Sequence, residues 1–221
     1  MRIRRKPWAV PELEACGFFV KNPVENRGKW KDAFSKKQPI HLELGCGKGG
    51  FISQIAEKNR QINYIAVDIK SEMLGLAKRN VERTFGENVF PENVLLTSYD
   101  VERLGDIFDK TDSIERIYIN FCNPWPKAKH NKHRLTHTKQ LVTYRNFLVN
   151  GGEIRFKTDD DGLFLSSQRY FKEARYRIEY ITHDLHAQNL ADNIVTEHER
   201  MFSSDGIKIK YLVARKEEIY E

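Results

Sequence analysis

A glycine-rich turn that follows a short apolar run limits this chain to a small set of folds. Residues 41–50 read HLELGCGKGG, and apolar residues with helical spacing begin near Phe51. A strand, a glycine turn and a helix in this order form the first unit of an open α/β sheet, in which ligands bind at the carboxyl ends of the strands. The stretch therefore predicts a fold class and the edge of the sheet where a ligand binds.

The segments after this turn alternate between short apolar runs and amphipathic stretches. This alternation predicts an α/β fold, with a mostly parallel sheet covered by helices on both faces and an antiparallel final hairpin. Seven strands are predicted, at residues 40–44, 63–67, 94–97, 114–121, 152–156, 177–181 and 207–214. Helices are predicted at residues 50–58, 71–84, 138–148 and 163–173. Glycine-containing turns are expected before the fifth strand, at residues 151–152, and before the last, at residues 205–206.

The length and the proline content together indicate one domain with an extension. A chain of 221 residues fits one sizeable α/β domain and is short for two. Residues 1–38 hold several prolines and little periodicity, so we expect a basic N-terminal extension that drapes over the domain or stays mobile. The domain itself is expected at residues 39–221.

The composition indicates a soluble protein of the cytoplasm. No stretch reaches the about 18 consecutive apolar residues of a membrane-spanning helix, and no apolar run of signal-peptide length follows the basic start. The three cysteines form no C-x-x-C pair, which favours small buried thiols over a disulfide set or a metal site. These cysteines are Cys16, Cys46 and Cys122.

Positive charge is concentrated in two segments. The formal net charge is +6, four of the first six residues are Arg or Lys, and residues 127–139 carry five Lys or Arg and three His without an acid. Such segments suit the phosphates of a nucleic acid, although a solvated charged surface is the ordinary alternative. We expect both segments to contact phosphates, so that binding weakens steeply with salt.

Three acids stand at or just beyond the predicted strand ends. Glu43 is costly to bury without a partner, and an amino acid's ammonium group would supply one. Asp68 ends the second strand, where an acid can accept hydrogen bonds from ribose hydroxyls. Asp100 follows the third strand and could accept from an adenine amino group. The three acids predict an adenosine-containing cofactor that also bears an amino acid.

Residues 43–49 resemble the first motif of the class I S-adenosylmethionine methyltransferases, an acid and one residue followed by G-x-G-x-G. The resemblance implies a Rossmann-like class I methyltransferase fold and S-adenosyl-L-methionine as cofactor. The same stretch also fits the G-x-G-x-x-G fingerprint of dinucleotide enzymes, so an oxidoreductase stays open as an alternative. That alternative finds no evident hydride-transfer site in the sequence and leaves the basic segments unexplained.

The segment after the fourth strand, residues 119–127, reads INFCNPWPK. Its prolines turn the chain away at the sheet edge, so Asn123 and Lys127 are expected to face the methyl donor. A cysteine nucleophile for a pyrimidine carbon is disfavoured, since Cys122 precedes Asn123 and follows no proline. Families that methylate an exocyclic amino group carry the order Asn-Pro-Pro-aromatic, whereas residues 123–126 here read NPWP. Guanine N7 has a free lone pair, so it can attack the methyl group without losing a proton.

Motifs over nearly the whole chain resemble those of the bacterial tRNA (guanine-N7)-methyltransferases. They are RIRRKPWA at residues 2–9, the motif at 43–49, NF with PWPK at 120–127, KHRL at 132–135, FKTD at 156–159, DLH at 184–186, and TEHE at 196–199 followed by Phe202. The family usually has Asp where this chain has Asn123. The resemblance implies a tRNA methyltransferase that transfers the methyl group to N7 of the variable-loop guanine (position 46).

The resemblance also implies roles for particular residues. The cofactor would be held by Glu43, Gly45, Gly47, Asp68, Asp100 and Asn123, of which Asn123 is also the expected catalytic residue. The tRNA would be held by Lys127, Asp159, Thr196, Glu197, His198 and Glu199, with the acids accepting from the Watson-Crick edge of a flipped guanine.

Several alternatives stay open at this point. The chain could be an amino-group (N6-adenine type) RNA methyltransferase or a noncatalytic tRNA-binding module. Thr196 and Glu199 also fit a helix capping box, a purely structural role. The sequence leaves monomer or homodimer undecided.

Overall fold

A computed structural model describes residues 5–86 and 89–218. Its helices and strands are, in chain order, α1 (Ala9–Glu14), β1 (Phe19–Val20), β2 (Ile40–Leu44), α2 (Gly50–Lys58), β3 (Asn63–Asp68), α3 (Ser71–Phe85), β4 (Val94–Ser98), β5 (Ile114–Asn120), α4 (Thr138–Arg145), β6 (Leu148–Thr158), α5 (Asp161–Glu173), β7 (Tyr176–Thr182), α6 (Glu197–Ser204) and β8 (Lys210–Lys216). Short 3₁₀ helices lie at Pro23–Asn26, Trp30–Ala33, Val101–Asp106, Ala128–His133 and His186–Gln188.

The strands form one sheet in the order β1-β4-β3-β2-β5-β6-β8-β7. Every neighbouring pair from β1 to β6 is parallel, and β8 runs antiparallel to both β6 and β7. All five residues of β2 are buried, as expected for a central parallel strand covered on both faces. The predicted α/β class with its mostly parallel sheet and antiparallel final pair is confirmed.

The sheet has eight strands, one more than predicted. The additional strand, β1, pairs Phe19 with Leu96 and Val20 with Thr97 of β4. Two residues are too few to show a strand period, so no sequence pattern marked them. Trp30 from the same segment is fully buried, and its indole Nε1 donates to the Ile107 carbonyl at 2.7 Å. The segment before β2 therefore packs on the rest of the fold through β1 and Trp30. The phosphate contacts predicted for Arg2 and Arg4 fall outside the described residues.

Three predicted boundaries differ from the structure by three residues or more. The turn predicted at Gly151 and Gly152 is wrong, because β6 runs through both from residue 148. Gly151 has a φ of +72°, and the pairing of β6 with β5 shifts register here, so the glycines form an irregularity within a strand. The last strand begins at residue 210 instead of 207, and α4 ends at residue 145 instead of 148.

Candidate cofactor and substrate site

The glycine turn is fixed by backbone hydrogen bonds to the neighbouring strand. The amides of Gly45 and Cys46 both donate to the Val67 carbonyl, at 2.8 and 3.1 Å. Gly45, Gly47 and Gly49 all have positive φ, at 71°, 53° and 74°, a region where other residues are strained. The backbone of the turn is thus set by β3 before any ligand is present.

The glycines of this turn have two different uses. A Cβ placed on Gly45 or Gly47 meets no atom within 4 Å, so their backbone is open to a ligand. A Cβ on Gly49 would lie 2.7 Å from the Cβ of Ala77 in α3, which is closer than van der Waals contact allows. Gly49 is therefore required for packing, whereas Gly45 and Gly47 leave room for a bound molecule.

Glu43 lies at the end of β2 and is only 2% exposed. Its Oε1 accepts from Asn120 Nδ2 at 3.2 Å, while its buried Oε2 has no hydrogen-bond partner among the described residues. Burial raises the pKa of this carboxyl to about 8. A buried acceptor without a partner needs a donor from outside the protein, and a cationic donor suits it best.

Asp68, at the end of β3, links its strand to the glycine turn. Its Oδ2 accepts from the Gly47 amide and its Oδ1 from the Lys70 amide, both at 2.9 Å. Burial raises the pKa of this carboxyl, and these backbone hydrogen bonds oppose the shift. Since β2 and β3 are neighbours, Glu43 and Asp68 lie at adjacent strand ends, as the sequence predicted.

Asp100 follows β4 and begins a 3₁₀ helix. Its Oδ1 accepts from the Glu102 amide at 2.9 Å, and the amide of the preceding Tyr99 donates to the Asp68 carbonyl at 3.2 Å. Asp100 therefore caps a helix and also stands at the strand end next to Asp68. The carboxyl edge carries an acid at three strands that are side by side in the sheet.

The loop after β5 holds Asn123 in an unusual backbone. Phe121 and Trp125 have φ angles of +53° and +44°, which are uncommon for side chains of this size. The Asn123 Oδ1 accepts from the Trp125 amide at 3.1 Å. The buried guanidinium of Arg134 donates to the Pro124 and Trp125 carbonyls, at 2.8 and 3.2 Å. The loop is thus held from both sides, with Asn123 exposed at its tip.

Cys122 in this loop is a poor nucleophile. Burial raises the pKa of its thiol to about 12, and only a thiolate attacks efficiently. The geometry agrees with the sequence argument against a cysteine mechanism.

Helix α6 forms the opposite wall of the pocket. Thr196 caps it by accepting from the Glu199 amide at 3.1 Å. The His198 ring stacks on Phe121 with centroids 6.0 Å apart, and Glu197 accepts from Lys48 of the glycine turn at 2.8 Å. Side chains of this helix therefore reach the turn and the β5 loop across the pocket.

One pocket lies between the turn and α6. Its lining includes six of the predicted site residues, Glu43, Gly45, Gly47, Thr196, Glu197 and His198. The structure thus brings three members of each predicted set together at the carboxyl ends of β2 and β5, whereas Asp68, Asp100 and Asn123 of the predicted cofactor set do not line this pocket.

Other predicted site residues lie outside that lining. Lys127 is exposed before a 3₁₀ helix, and the Asp159 backbone carbonyl accepts from Lys210 at 2.9 Å. Glu199 is fully buried, and its carboxylate accepts from Lys157 at 3.1 Å. In this conformation the Glu199 carboxylate does not reach a base in the pocket.

Comparisons with known proteins agree with this geometry. The family described as "Putative methyltransferase" matches residues 37–212. A tRNA (guanine-N(7)-)-methyltransferase of Clostridium botulinum (strain Eklund 17B / Type B) is 58% identical over 219 residues, covering 99% of this chain and 100% of the relative. One of Clostridium perfringens (strain 13 / Type A) is 59% identical over 218 residues, covering 98% and 100%. The chain belongs to this methyltransferase family.

A solved structure described as an antibiotic related methyltransferase shares the fold of this family member. The TM-score is 0.58 with 13% sequence identity, covering 99% of this chain and 97% of the other. Within residues 5–86 and 89–218, no helix is long and apolar enough to cross a membrane. The same part of the chain contains no group of three or more His, Cys, Asp or Glu placed to hold a metal ion.

The sequence did not assign roles to four residues of this methyltransferase that shape the pocket. Asn120 holds Glu43, Lys48 pairs with Glu197, Phe121 stacks on His198, and Lys157 binds Glu199. Asn120, Phe121 and Lys157 do lie in stretches that carry the family resemblance, so their positions were marked without their contacts. Lys48 is part of the glycine motif but occupies one of its variable places.

Proposed function

We propose that this protein transfers the methyl group of S-adenosyl-L-methionine to N7 of a guanine in tRNA, with the variable-loop guanine as the target. The observation that carries the proposal is the pocket that the glycine turn and α6 line together. A methyltransferase must hold a donor and an acceptor in line, and here a ligand-accessible turn faces exposed acceptors and an aromatic stack. The relatives at 58 and 59% identity support the choice of tRNA.

The cofactor side fits S-adenosyl-L-methionine. The unpartnered Oε2 of Glu43 would accept from the ammonium of its methionine part. Gly45 and Gly47 leave space beside the backbone, and the remaining lone pairs of Asp68 can accept from ribose hydroxyls. Asp100 would meet the adenine amino group. When bound, the cofactor supplies an electrophilic methyl on a sulfonium.

Transfer of a methyl group to guanine N7 requires little acid-base catalysis by the protein. The N7 lone pair is available at neutral pH, so no general base is needed and the rate depends on alignment and electrostatics. Asn123 suits that task, because its oxygen is fixed by the Trp125 amide and its amide N–H groups can donate to a ligand. We assign Asn123 as the catalytic residue in this positioning sense.

The substrate side would hold a flipped guanine and the RNA backbone. Glu197 would accept from the Watson-Crick edge and His198, stacked on Phe121, would lie beside the base. Asp159 and Thr196 complete the predicted set, and Glu199 belongs to the same segment. Lys127 begins the basic segment 127–139, whose exposed lysines would meet phosphates. We propose the same for the basic residues at the N-terminus.

Three broader assignments complete the proposal. Residues 1–38 serve as an N-terminal extension of a methyltransferase domain at 39–221. The protein acts in the cytoplasm, where its tRNA substrates are made. It works as a monomer or a homodimer.

The direct test is methyl transfer to unmodified tRNA transcripts. Purified protein, S-adenosylmethionine and transcript are incubated, and the digested RNA is analysed by mass spectrometry against nucleoside standards. We expect 7-methylguanosine, and no product from a transcript in which the variable-loop guanine is replaced by adenine.

Two other results decide against the proposal. Recovery of N6-methyladenosine instead would favour the amino-group alternative. Tight tRNA binding without any methylated nucleoside would indicate a noncatalytic binding module.

A further inference from the structure

Helix α6 is attached to the protein through a buried charge and one aromatic side chain. Glu199 is the buried residue among its eight, with 0% of its side chain exposed. Met201 is 49% exposed, and Phe202 is only partly buried, against a small apolar cluster around Ile209. A helix on a protein surface normally docks through an apolar stripe, so this one depends unusually on how its carboxylate is satisfied.

The partner of Glu199 is Lys157, itself only 6% exposed. Lys157 Nζ donates to Glu199 Oε2 at 3.1 Å, to the Ile194 carbonyl at 3.1 Å and to the side-chain oxygen of Asn193. Asn193 in turn donates to Glu199 Oε1 at 2.7 Å, and His186 Nε2 lies 3.3 Å from the same oxygen. Both charges therefore have partners on several sides, which makes the burial of the pair tolerable.

Lys157 belongs to the rigid part of the molecule. It is the last residue but one of β6, in register with Asn120 of β5 and with Tyr211 of β8. The strand holds it from both sides, so its ammonium group has a fixed position beneath the segment 193–199. The three residues before Glu199, which are Thr196, Glu197 and His198, line the pocket.

We propose that Lys157 is a positioning residue for substrate recognition, which holds α6 over the pocket through its buried contact with Glu199. The inference rests on the proposed function in taking tRNA as the substrate. It gives Glu199 a different task from the one the sequence suggested: Glu199 anchors the helix, and its exposed neighbours meet the base.

Removal of one member of a buried ion pair leaves the other charge buried without its countercharge, and the segment that carries it then opens locally. Lys157→Met should therefore speed hydrogen exchange in residues 190–204 and leave exchange in residues 40–70 unchanged. The KM for tRNA should rise roughly tenfold or more, while kcat at saturating tRNA and the affinity for S-adenosylhomocysteine change less than about twofold.

The matched control is Lys216→Met. Lys216 is also a partly buried lysine at a strand end, and its Nζ donates to the carbonyls of Arg145 and Leu148 at 2.8 and 2.6 Å. Its contacts lie away from the pocket, so its loss should leave the KM for tRNA unchanged. Glu199→Gln keeps the shape of the anchor and one of its two accepting oxygens but removes its charge, and should raise the KM less than Lys157→Met does.

A double variant separates anchoring from base contact. If Glu199 only anchors α6, then Lys157→Met with Glu199→Leu leaves no buried charge unpaired, and its KM for tRNA should be lower than that of Lys157→Met alone. A double variant no better than the single one would overturn the proposal, as would unchanged exchange and KM in Lys157→Met. The exchange measurement needs no RNA, so it tests the anchor even if the wild-type protein methylates no tRNA.

Discussion

The two walls of the pocket are built in different ways. On the wall proposed for the cofactor (the cofactor wall), the glycine turn is held by backbone hydrogen bonds to β3 and by close packing of Gly49 on α3. On the wall proposed for the substrate (the substrate wall), α6 lies in the long connection between β7 and β8 and is held by side chains, namely Glu199 with Lys157 and Phe202 against a small apolar cluster. The first wall is fixed by the fold itself, whereas the second depends on individual side-chain contacts.

This difference suits the two ligands. A small cofactor is bound tightly by a site that is already formed, because little entropy is lost on binding. A tRNA base must be drawn out of its stack and enclosed, which a wall held by a few side chains permits. Substitutions on the cofactor wall should therefore cost stability, and substitutions on the substrate wall should cost recognition.

The largest effect is expected at Asn123, the proposed catalytic residue in the loop after β5. Asn123→Ala should lower the single-turnover methyl-transfer rate roughly 10- to 1000-fold, since one fixed polar contact at the reaction centre is lost. Binding of tRNA, measured separately, should change little. A loss confined to tRNA affinity would instead place Asn123 on the substrate wall.

The matched variant is Asn123→Asp, which has the residue that the family usually carries and should remain active. At saturating cofactor and tRNA, the wild-type rate should be nearly flat from about pH 6 to 8, because the N7 lone pair needs no proton removed. A tenfold rise per pH unit across that window would reveal a general base and would point toward an amino-group target.

Gly49→Ala should produce the next largest effect, as a loss of stability. The new Cβ would meet Ala77 at 2.7 Å on a backbone with φ of +74°, so strain and overpacking together should cost about 2 to 4 kcal/mol. Gly206 has the same φ of +74° but nothing within 4 Å, so Gly206→Ala should cost only about 1 to 2 kcal/mol. Urea denaturation measures the free energy of unfolding of both variants. Equal losses in the two would mean that Ala77 of α3 moves easily to make room for the new Cβ.

Much of the cofactor wall could be predicted from the sequence. Buried parallel strands are visible in a sequence as continuous apolar runs. The run before Gly45 ends in the glycine turn, and the run at residues 63–67 ends in an acid, Asp68. Because consecutive parallel strands of this fold end at one edge, the closeness of Glu43 and Asp68 followed directly.

The substrate wall could be predicted far less well. Lys157 and Glu199 are 42 residues apart, and Lys48 and Glu197 are 149 apart. Side-chain pairs at such separations leave no periodic trace in the sequence. The capping residue Thr196 could be predicted because capping involves residues close together in the chain. The residues that α6 packs against could not be predicted.

The cofactor wall should also respond to pH through Glu43. Burial raises its pKa to about 8, so below that pH the carboxyl is mostly protonated in the ligand-free protein. Pairing with an ammonium needs the carboxylate, so the affinity for S-adenosylhomocysteine should fall as the pH drops below 8, by roughly tenfold per unit. Calorimetry from pH 6 to 8.5 measures this directly.

Glu43→Gln is the control for that experiment. The amide keeps the size of the side chain but cannot ionise, so binding should be weaker at pH 8 and nearly independent of pH. If the wild-type affinity is also flat, the ammonium group does not pair with Glu43.

The smallest effect is expected for Lys48→Ala. The contact between Lys48 and Glu197 joins the two walls, but both side chains are about half exposed or more, at 46% and 67%. Exposed ion pairs contribute little, so the KM for tRNA should change less than about threefold. Lys78→Ala removes the pair with Glu82 within α3 and should change nothing in methylation. A tenfold effect of Lys48 alone would mean that the walls are coupled through this contact.

The loop around Asn123 has a consequence for how such a protein can evolve. Phe121 and Trp125 keep a left-handed backbone, which for residues of this kind costs of the order of 1 to 2 kcal/mol each. Glycine at either position would relieve that strain, but it would also make the loop more flexible, although Arg134 donates hydrogen bonds to its backbone. Selection for heat resistance would therefore favour glycine at position 125, whereas selection for turnover would favour a large side chain such as the one this chain carries.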